Sequence, residues 1–234
     1  MKPFSVPTRL ASGPFVLAAC ILISLTLPSF GGASSRGFEA RVSGSSLESP
    51  PVASYRIDAG QSHFIVHVFV AGLLSGFAHN HNIAIRNFSG TADFLPDNPA
   101  GSSLRMTIEA SSLAVIDDKV SDKDRQQIET HMRDEVLETS KYPQIVFKST
   151  EVSMTKTGEG QYQAKIFGDL TLHSVTRHGL INAQIEASGN GLRARGEFPL
   201  RQTEYNIKPI SIGAGTVKVK DELKFSFDIA ASRG

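Results

Sequence analysis

The sequence predicts an all-β domain: a meander of antiparallel strands with one inserted helix. Three observations carry that prediction. Between Phe64 and Ile229 apolar residues recur with period two, and residues two apart point to one side of a pleated strand. Only one stretch, about residues 121–141, has helical spacing. Turn signals of hairpin length separate the apolar runs, and the alternation is of the half-buried antiparallel kind, unlike the unbroken apolar runs of a parallel sheet.

Taken in order, strands are expected at 55–58 and 62–71, the second with Phe64, Val66, Val68 and Val70 on one face. The next covers 82–95. There Ile83 and Ile85 share a face, whereas Phe88, Gly90, Ala92 and Phe94 take the opposite parity, so a bulge near Arg86-Asn87 is needed to restore the facing. Leu104, Met106 and Ile108 mark a strand at 103–110. The helix runs from Ser121 or Asp122 to about Ser140. Asp122 and Asp124 suit its positive end, Ile128, Met132 and Val136 form a narrow apolar stripe, and Tyr142-Pro143 stops it. Such a lone helix is expected to cover one end of the fold. Strands follow at 144–155, 161–173 (Ile166, Leu170, Leu172), 178–187 (Ile181, Ala183, Ile185), 191–199 and 216–230 (Phe225, Phe227, Ile229). Pro96-Asp97-Asn98-Pro99, Gly158-Glu159-Gly160 and Ser188-Gly189-Asn190-Gly191, the last through its Asn-Gly pair, supply hairpin turns. A meander of about eight strands either splits into a sandwich or closes into a barrel.

The first 33 residues stand apart from this fold. Lys2 and Arg9 precede an apolar stretch from Leu10 to Phe30 that ends in Gly31-Gly32-Ala33, the layout of a secretory signal peptide cleaved after Ala33. A periplasmic or secreted location follows as the expectation. A retained anchor competes, since about 20 apolar residues can span a bilayer, but Gly13, Pro14 and Pro28 interrupt such a helix. Leu17-Ala18-Ala19-Cys20 has the form of a bacterial lipobox, yet Ile21 to Leu27 stays apolar where a mature lipoprotein begins with a polar tether. Cys20 is the single cysteine, so a cleaved chain has no thiol or disulfide chemistry. Residues 34–54, rich in Ser, Gly and Pro, read as a tether. One domain, 55–231, follows. Cleavage removes two of the 24 basic residues and none of the 23 acidic ones, which leaves a nearly neutral protein. Without a basic patch, nucleic acid is not an expected partner.

Motifs for chemistry are sparse. His79-Asn80-His81 puts two imidazoles on one side of an extended segment, a chelating geometry, but no further ligand stands at a recognisable spacing. A metal-binding or redox-assisting protein centred on His79 and His81 is therefore the alternative, and no metal or cofactor is expected in the leading reading. His173 and His178 bracket Ser174 without a Gly-x-Ser-x-Gly elbow. Ser153 and Lys156 match Ser-x-x-Lys without companion motifs, and Asp117-Asp118 reads as a solvated loop pair. No catalytic residue is assigned. What remains is apolar surface: closed strands would turn Phe64, Phe88, Phe94, Phe147, Phe225 and Phe227 inward. Small inward residues (Gly90, Ala92, Gly168, Ala183, Ala187) favour leftover volume.

Several segments resemble the YceI-like family of exported lipid-binding proteins. They are Tyr55-Arg56-Ile57-Asp58 with Ser62-His63-Phe64, then Phe88-Ser89-Gly90-Thr91, then Lys141-Tyr142-Pro143-Gln144-Ile145-Val146-Phe147-Lys148-Ser149-Thr150. The last is Gly168-Asp169-Leu170-Thr171-Leu172-His173-Ser174-Val175-Thr176-Arg177. The resemblance covers about 55–230 with the motifs in order. It implies an elongated lipocalin-like up-and-down barrel whose interior receives a polyisoprenoid or other long-chain fatty amphiphile. Binding or carriage near a membrane is implied rather than catalysis. The expected lining is Phe64, Val66, Val68, Phe88, Phe94, Phe147, Ile166, Leu170, Phe225 and Phe227. His79 and His81 share the parity of Ile83 and Ile85, which makes them head-group candidates at the mouth. Two departures concern the helix, which reads Asp122 to Asp134 without the commoner His-Leu-Arg-Ser run, and Ala78, which replaces a glycine in a His-Asn-His subgroup.

Overall fold

The computed structural model describes residues 53–72, 79–212 and 216–234 of the chain. The signal segment, nearly all of the tether, and Gly76 to Ala78 of the histidine motif lie outside the described residues. In chain order the elements are β1 (Ala53–Val68), β2 (Val70–Ala71), β3 (His81–Ile85), β4 (Phe88–Phe94), β5 (Ser103–Glu109) and β6 (Leu113–Val115). Then come α1 (Asp122–His131), β7 (Gln144–Gly158), β8 (Gln161–Leu172), β9 (Val175–Ser188), β10 (Gly191–Arg201), β11 (Ser211–Ile212), β12 (Val217–Val219) and β13 (Glu222–Arg233).

The meander closes. Antiparallel ladders run in the order β1-β4-β5-β7-β8-β9-β10-β13, and β13 pairs back onto β1, giving an eight-stranded up-and-down barrel. Closure gives every strand of the ring a paired neighbour on both sides over part of its length, which settles the choice between sandwich and barrel. β3 and β6 extend the sheet from the second half of β1, while β2, β11 and β12 form a small separate sheet.

β1 reaches both groups because it is bulged. Tyr55–Asp58 face Arg233–Ala230, the register then slips, and His63–His67 face Asp228–Lys224. Asp58 Oδ1 takes the Gly60 N–H at 2.9 Å, and Ser62 Oγ accepts the Ala230 N–H at 2.9 Å, so the slip costs no unpaired donor there. The first half of β1 pairs with β4 and the second with β3. This corrects the single strand expected at 82–95: the break falls at Arg86-Asn87 as the parity requires, but it separates two strands. Similarly, 62–71 ends at Val68 before β2 leaves for the small sheet, and 216–230 divides into β12 and β13.

The helix is shorter than its pattern. Ser121 caps α1 by accepting the Asp124 N–H at 3.2 Å. After His131 a π-helical turn, Met132–Val136, takes over, with the Leu137 N–H donating to Met132 O at 2.9 Å. The wider turn lets Met132 and Leu137 both be buried; no residue of α1 itself is.

Two hairpin turns differ from expectation. Between β9 and β10 the centre is Gly189-Asn190, with the left-handed φ of +54° at Gly189, so the first central glycine rather than the Asn-Gly pair makes the turn. Between β8 and β9 the two-residue turn is His173-Ser174, both at positive φ (51° and 60°). Neither is glycine, and each left-handed residue costs about 1–2 kcal/mol. The compensation is tertiary: His173 Nε2 lies 2.7 Å from Glu138 Oε2, and its ring packs 4.1 Å from that of Tyr142.

One end of the barrel is packed solid. Val66, Ile83, Ile85, Phe88, Leu113, Val115, Met132, Leu137 and Leu172 belong to one buried cluster. Phe64 meets Phe88 edge-on at 6.0 Å and Phe225 at 6.1 Å, and Phe225 stacks on Phe198 at 4.9 Å. Each such aromatic pair adds about 0.5–1.5 kcal/mol beyond area burial. Of the small inward residues expected to leave space, Ala92, Gly168 and Ala183 border the cavity described below, but the inward glycines among them are closely covered. A Cβ on Gly168 would lie 2.5 Å from the Phe147 ring; one on Gly90 would collide with Ile57, and one on Gly196 with Phe227. Large neighbours already use that room.

Candidate functional site

The barrel wall parts in two places. β9 and β10 pair from Ser188/Gly191 to Asn182/Glu197 and no further. Beyond that point Val175–Ile181 pair only with β8, and Phe198–Arg201 only with β13. Pro199 lies in the unpaired stretch and has no N–H with which to extend the ladder. The second parting is between β5 and β7. Their ladder runs from Glu109/Gln144 to Arg105/Lys148; the Leu104 N–H then donates to Ser149 Oγ at 2.8 Å, and β7 shifts its register against β8 between Ser149 and Glu151.

Between these partings lies a cavity of about 330 Å³. Its wall is mostly aliphatic and aromatic: Ile57, Met106, Met154, Ile181 and Ile185 join the residues discussed below. The polar lining gathers at the two partings. Asp93, Ser102 and Ser103 line the β5–β7 side, where Ser103 Oγ donates to Asp93 Oδ2 at 2.8 Å. Arg177, His178 and Glu204 line the β9–β10 side. Here the cavity reaches the surface, since Arg177, His178, Gly179 and Glu204 are exposed and Leu180 retains 40% of its surface. Gly179 is the inward glycine whose Cβ direction meets nothing within 4 Å, so it borders free space.

Among the described residues one hydrogen bond bridges the β9–β10 parting: Arg177 Nε donates to the Glu204 carbonyl at 3.0 Å. Glu204 sits in the 3₁₀ turn Gln202–Tyr205. Burial raises the Tyr205 phenol above its ordinary pKa, and the Glu204 charge adds to the effect.

Of the residues expected to line the interior, Phe64, Phe94, Phe147, Ile166, Leu170 and Phe227 border the cavity. Val66, Val68, Phe88 and Phe225 belong instead to the packed end or flank it. His79 is exposed and, like His81, does not border the cavity. His81 Nδ1 lies 2.9 Å from Asp117 Oδ2, and Asp117 also accepts the Asn82 N–H. Asp117, expected as a solvated charge, keeps only 15% side-chain exposure. Asn82 in turn meets His67, whose other nitrogen is 2.8 Å from Ser226 Oγ. Ser226 lies mid-strand between β1 and β10, opposite Ile65 on one side and Glu197 on the other. Among the described residues no three His, Cys, Asp or Glu side chains are grouped to hold a metal ion.

Arg177 is the residue missed from sequence. Parity would have found it: Val175, Arg177, Gly179, Ile181 and Ala183 form one inward row, and an arginine is the break in it.

Comparison with known proteins agrees with this architecture. The chain is 31% identical over 172 residues to Protein YceI of Escherichia coli O157:H7, covering 70% of this chain and 81% of that protein. A UPF0312 protein of Pseudomonas savastanoi pv. phaseolicola is 30% identical over 186 residues, with 75% and 85% covered. Burkholderia cenocepacia BcnA shares the fold with a TM-score of 0.57 at 19% identity, over 75% of this chain and 99% of that one. So does a polyisoprenoid binding domain from Saccharophagus degradans, with a TM-score of 0.55 at 12% identity, over 79% and 100%. The YceI-like domain family matches residues 55–231, nearly the whole barrel, and the chain therefore belongs to the YceI-like family.

Proposed function

We propose that this protein is an exported carrier that shelters the hydrocarbon part of a polyisoprenoid or other long-chain amphiphile inside its barrel, without chemistry on the ligand. The carrying observation is the cavity: apolar along its wall, polar only where strands part, and continuous with the surface between β9 and β10. The description of the Saccharophagus degradans domain as polyisoprenoid binding supports the ligand class. Transfer of apolar surface from water contributes about 25 cal/mol per Å², so a tail supplies the driving force by itself. The volume is at the low end of small-molecule sites, roughly 300–1,000 Å³. A long chain is accommodated by repacking Met106 and Met154, whose unbranched side chains adapt most easily. The basic-apolar-small pattern of residues 1–33 supports export, to the periplasm or to the outside of the cell.

Native mass spectrometry of the protein purified from its own host, followed by lipid extraction, tests this. A stoichiometric long-chain amphiphile is the expected result. Recovery of protein with no lipid, together with failure of the stripped protein to take up any long-chain probe, would refute it.

A further inference from the structure

Arg177 is an odd residue for its place. It occupies the inward row of β9, opposite Leu170, at the threshold of an apolar cavity. Its Nε is fixed by the Glu204 carbonyl at 3.0 Å. Among the described residues no ion pair balances its charge, and no hydrogen bond engages its two terminal nitrogens. A purely structural latch across the parting would need only one donor. A guanidinium held through Nε and otherwise free has the two-pronged edge that suits a carboxylate or phosphate.

We propose that Arg177 holds the anionic head of the amphiphile at the β9–β10 parting while the tail enters sideways past Gly179; this rests on the proposed lipid binding. The neighbouring charges refine the head. His178, which borders the same rim, lies 2.9 Å from Asp169 Oδ1, so its imidazole is already partnered by a carboxylate. Glu204 carries an exposed carboxylate on the same rim. One unpaired cation beside one acid favours a singly charged head over a doubly charged one.

Binding of palmitoleic acid, palmitoleyl alcohol and palmitoleyl phosphate to lipid-stripped protein tests this, read by displacement of a neutral fluorescent apolar probe. The wild type should bind the acid at least tenfold more tightly than the alcohol. Arg177→Met should bind acid and alcohol alike, at the wild-type affinity for the alcohol, which also shows that the fold is intact. Arg177→Lys should keep part of the preference, and Glu204→Gln should improve the phosphate more than the acid. Equal wild-type affinity for acid and alcohol, or a preference that survives in Arg177→Met, overturns the assignment. A phosphate that outcompetes the acid in the wild type overturns the singly charged head. If neither acid nor alcohol displaces the probe, lipid binding itself fails, and the two failures are thus told apart.

Discussion

Gly168 and Gly179 face each other directly in the β8–β9 ladder, and substitution at the two should have opposite consequences. At Gly179 nothing lies within 4 Å of a Cβ, and φ is not in the left-handed region, so Gly179→Leu meets no steric barrier. The leucine side chain would occupy the threshold of the cavity. Excluding about three methylene groups of a ligand tail, at about 0.8 kcal/mol each, weakens binding by about 2–3 kcal/mol, roughly 30- to 150-fold in Kd. Stability should move the other way. Removing a glycine lowers the entropy of the unfolded chain by about 0.4–1 kcal/mol, and the new side chain buries apolar surface, so Tm should rise by a few degrees, about 2–4 °C per kcal/mol. Gly168→Ala is the control. Its Cβ would sit 2.5 Å from the Phe147 ring and 2.6 Å from the Lys148 carbonyl, and overpacking of this kind costs about 1–3 kcal/mol. Differential scanning calorimetry and probe displacement on the two variants read both quantities. A Gly179→Leu protein that is more stable yet binds a long-chain probe as tightly as wild type would show that the ligand does not pass Gly179.

Ser174→Gly relieves one of the two left-handed non-glycine residues of the β8–β9 turn and should stabilise the protein by about 0.5–1 kcal/mol, seen as a higher denaturant midpoint at unchanged m. Asp228 accepts from Arg193 at 2.5 and 2.9 Å and from Arg195 at 3.2 Å, and these bonds hold its carboxyl below the ordinary pKa. A depressed folded pKa gives stability that is present above the unfolded value, about 3.9, and is lost as pH falls through the folded one. Asp228→Asn should therefore lower stability at neutral pH and flatten the acid limb of a Tm-against-pH curve below about pH 4; an acid limb of unchanged slope would remove Asp228 as its cause.

Most of the barrel could be read from parity because each strand has one wet and one dry face. Period two in Ile166, Leu170 and Leu172 or in Phe225, Phe227 and Ile229 leaves little choice about which side is inside. The Ile85/Phe88 parity break located the change from β3 to β4 for the same reason. Parity says nothing about where a ladder stops. The partings fall beside the register shift at Ser149/Glu151 and at Pro199, whose missing N–H is visible in the sequence but whose neighbour across the gap is set only by closure. The His173-Ser174 turn was illegible because neither residue favours positive φ alone; Glu138 and Tyr142 from the helix segment hold it. The candidate lining was half legible. Phe64, Phe94, Phe147, Ile166, Leu170 and Phe227 border the cavity, whereas Val66, Phe88 and Phe225 share their parity but lie at the packed end. Position along a strand, not face, separates the two sets.

That separation bears on why there is a cavity at all. An eight-stranded barrel encloses just enough space for its own inward side chains. Small inward residues therefore do not by themselves create a void, because neighbouring rings move into the room they leave, as Phe147 does over Gly168 and Phe227 over Gly196. Empty space persists where the wall diverges and no opposing strand supplies a side chain. Val175–Ile181 lose β10 as a neighbour, Glu151–Gly158 lose β5, and the cavity lies between those two losses. Volume and opening thus have one origin: the divergence that leaves room for a tail also gives it a way in. It follows that a change restoring the ladder should close the cavity. Pro199 is the natural place for such a change, since a residue with an N–H there could extend the β9–β10 pairing toward Leu180 and Arg177.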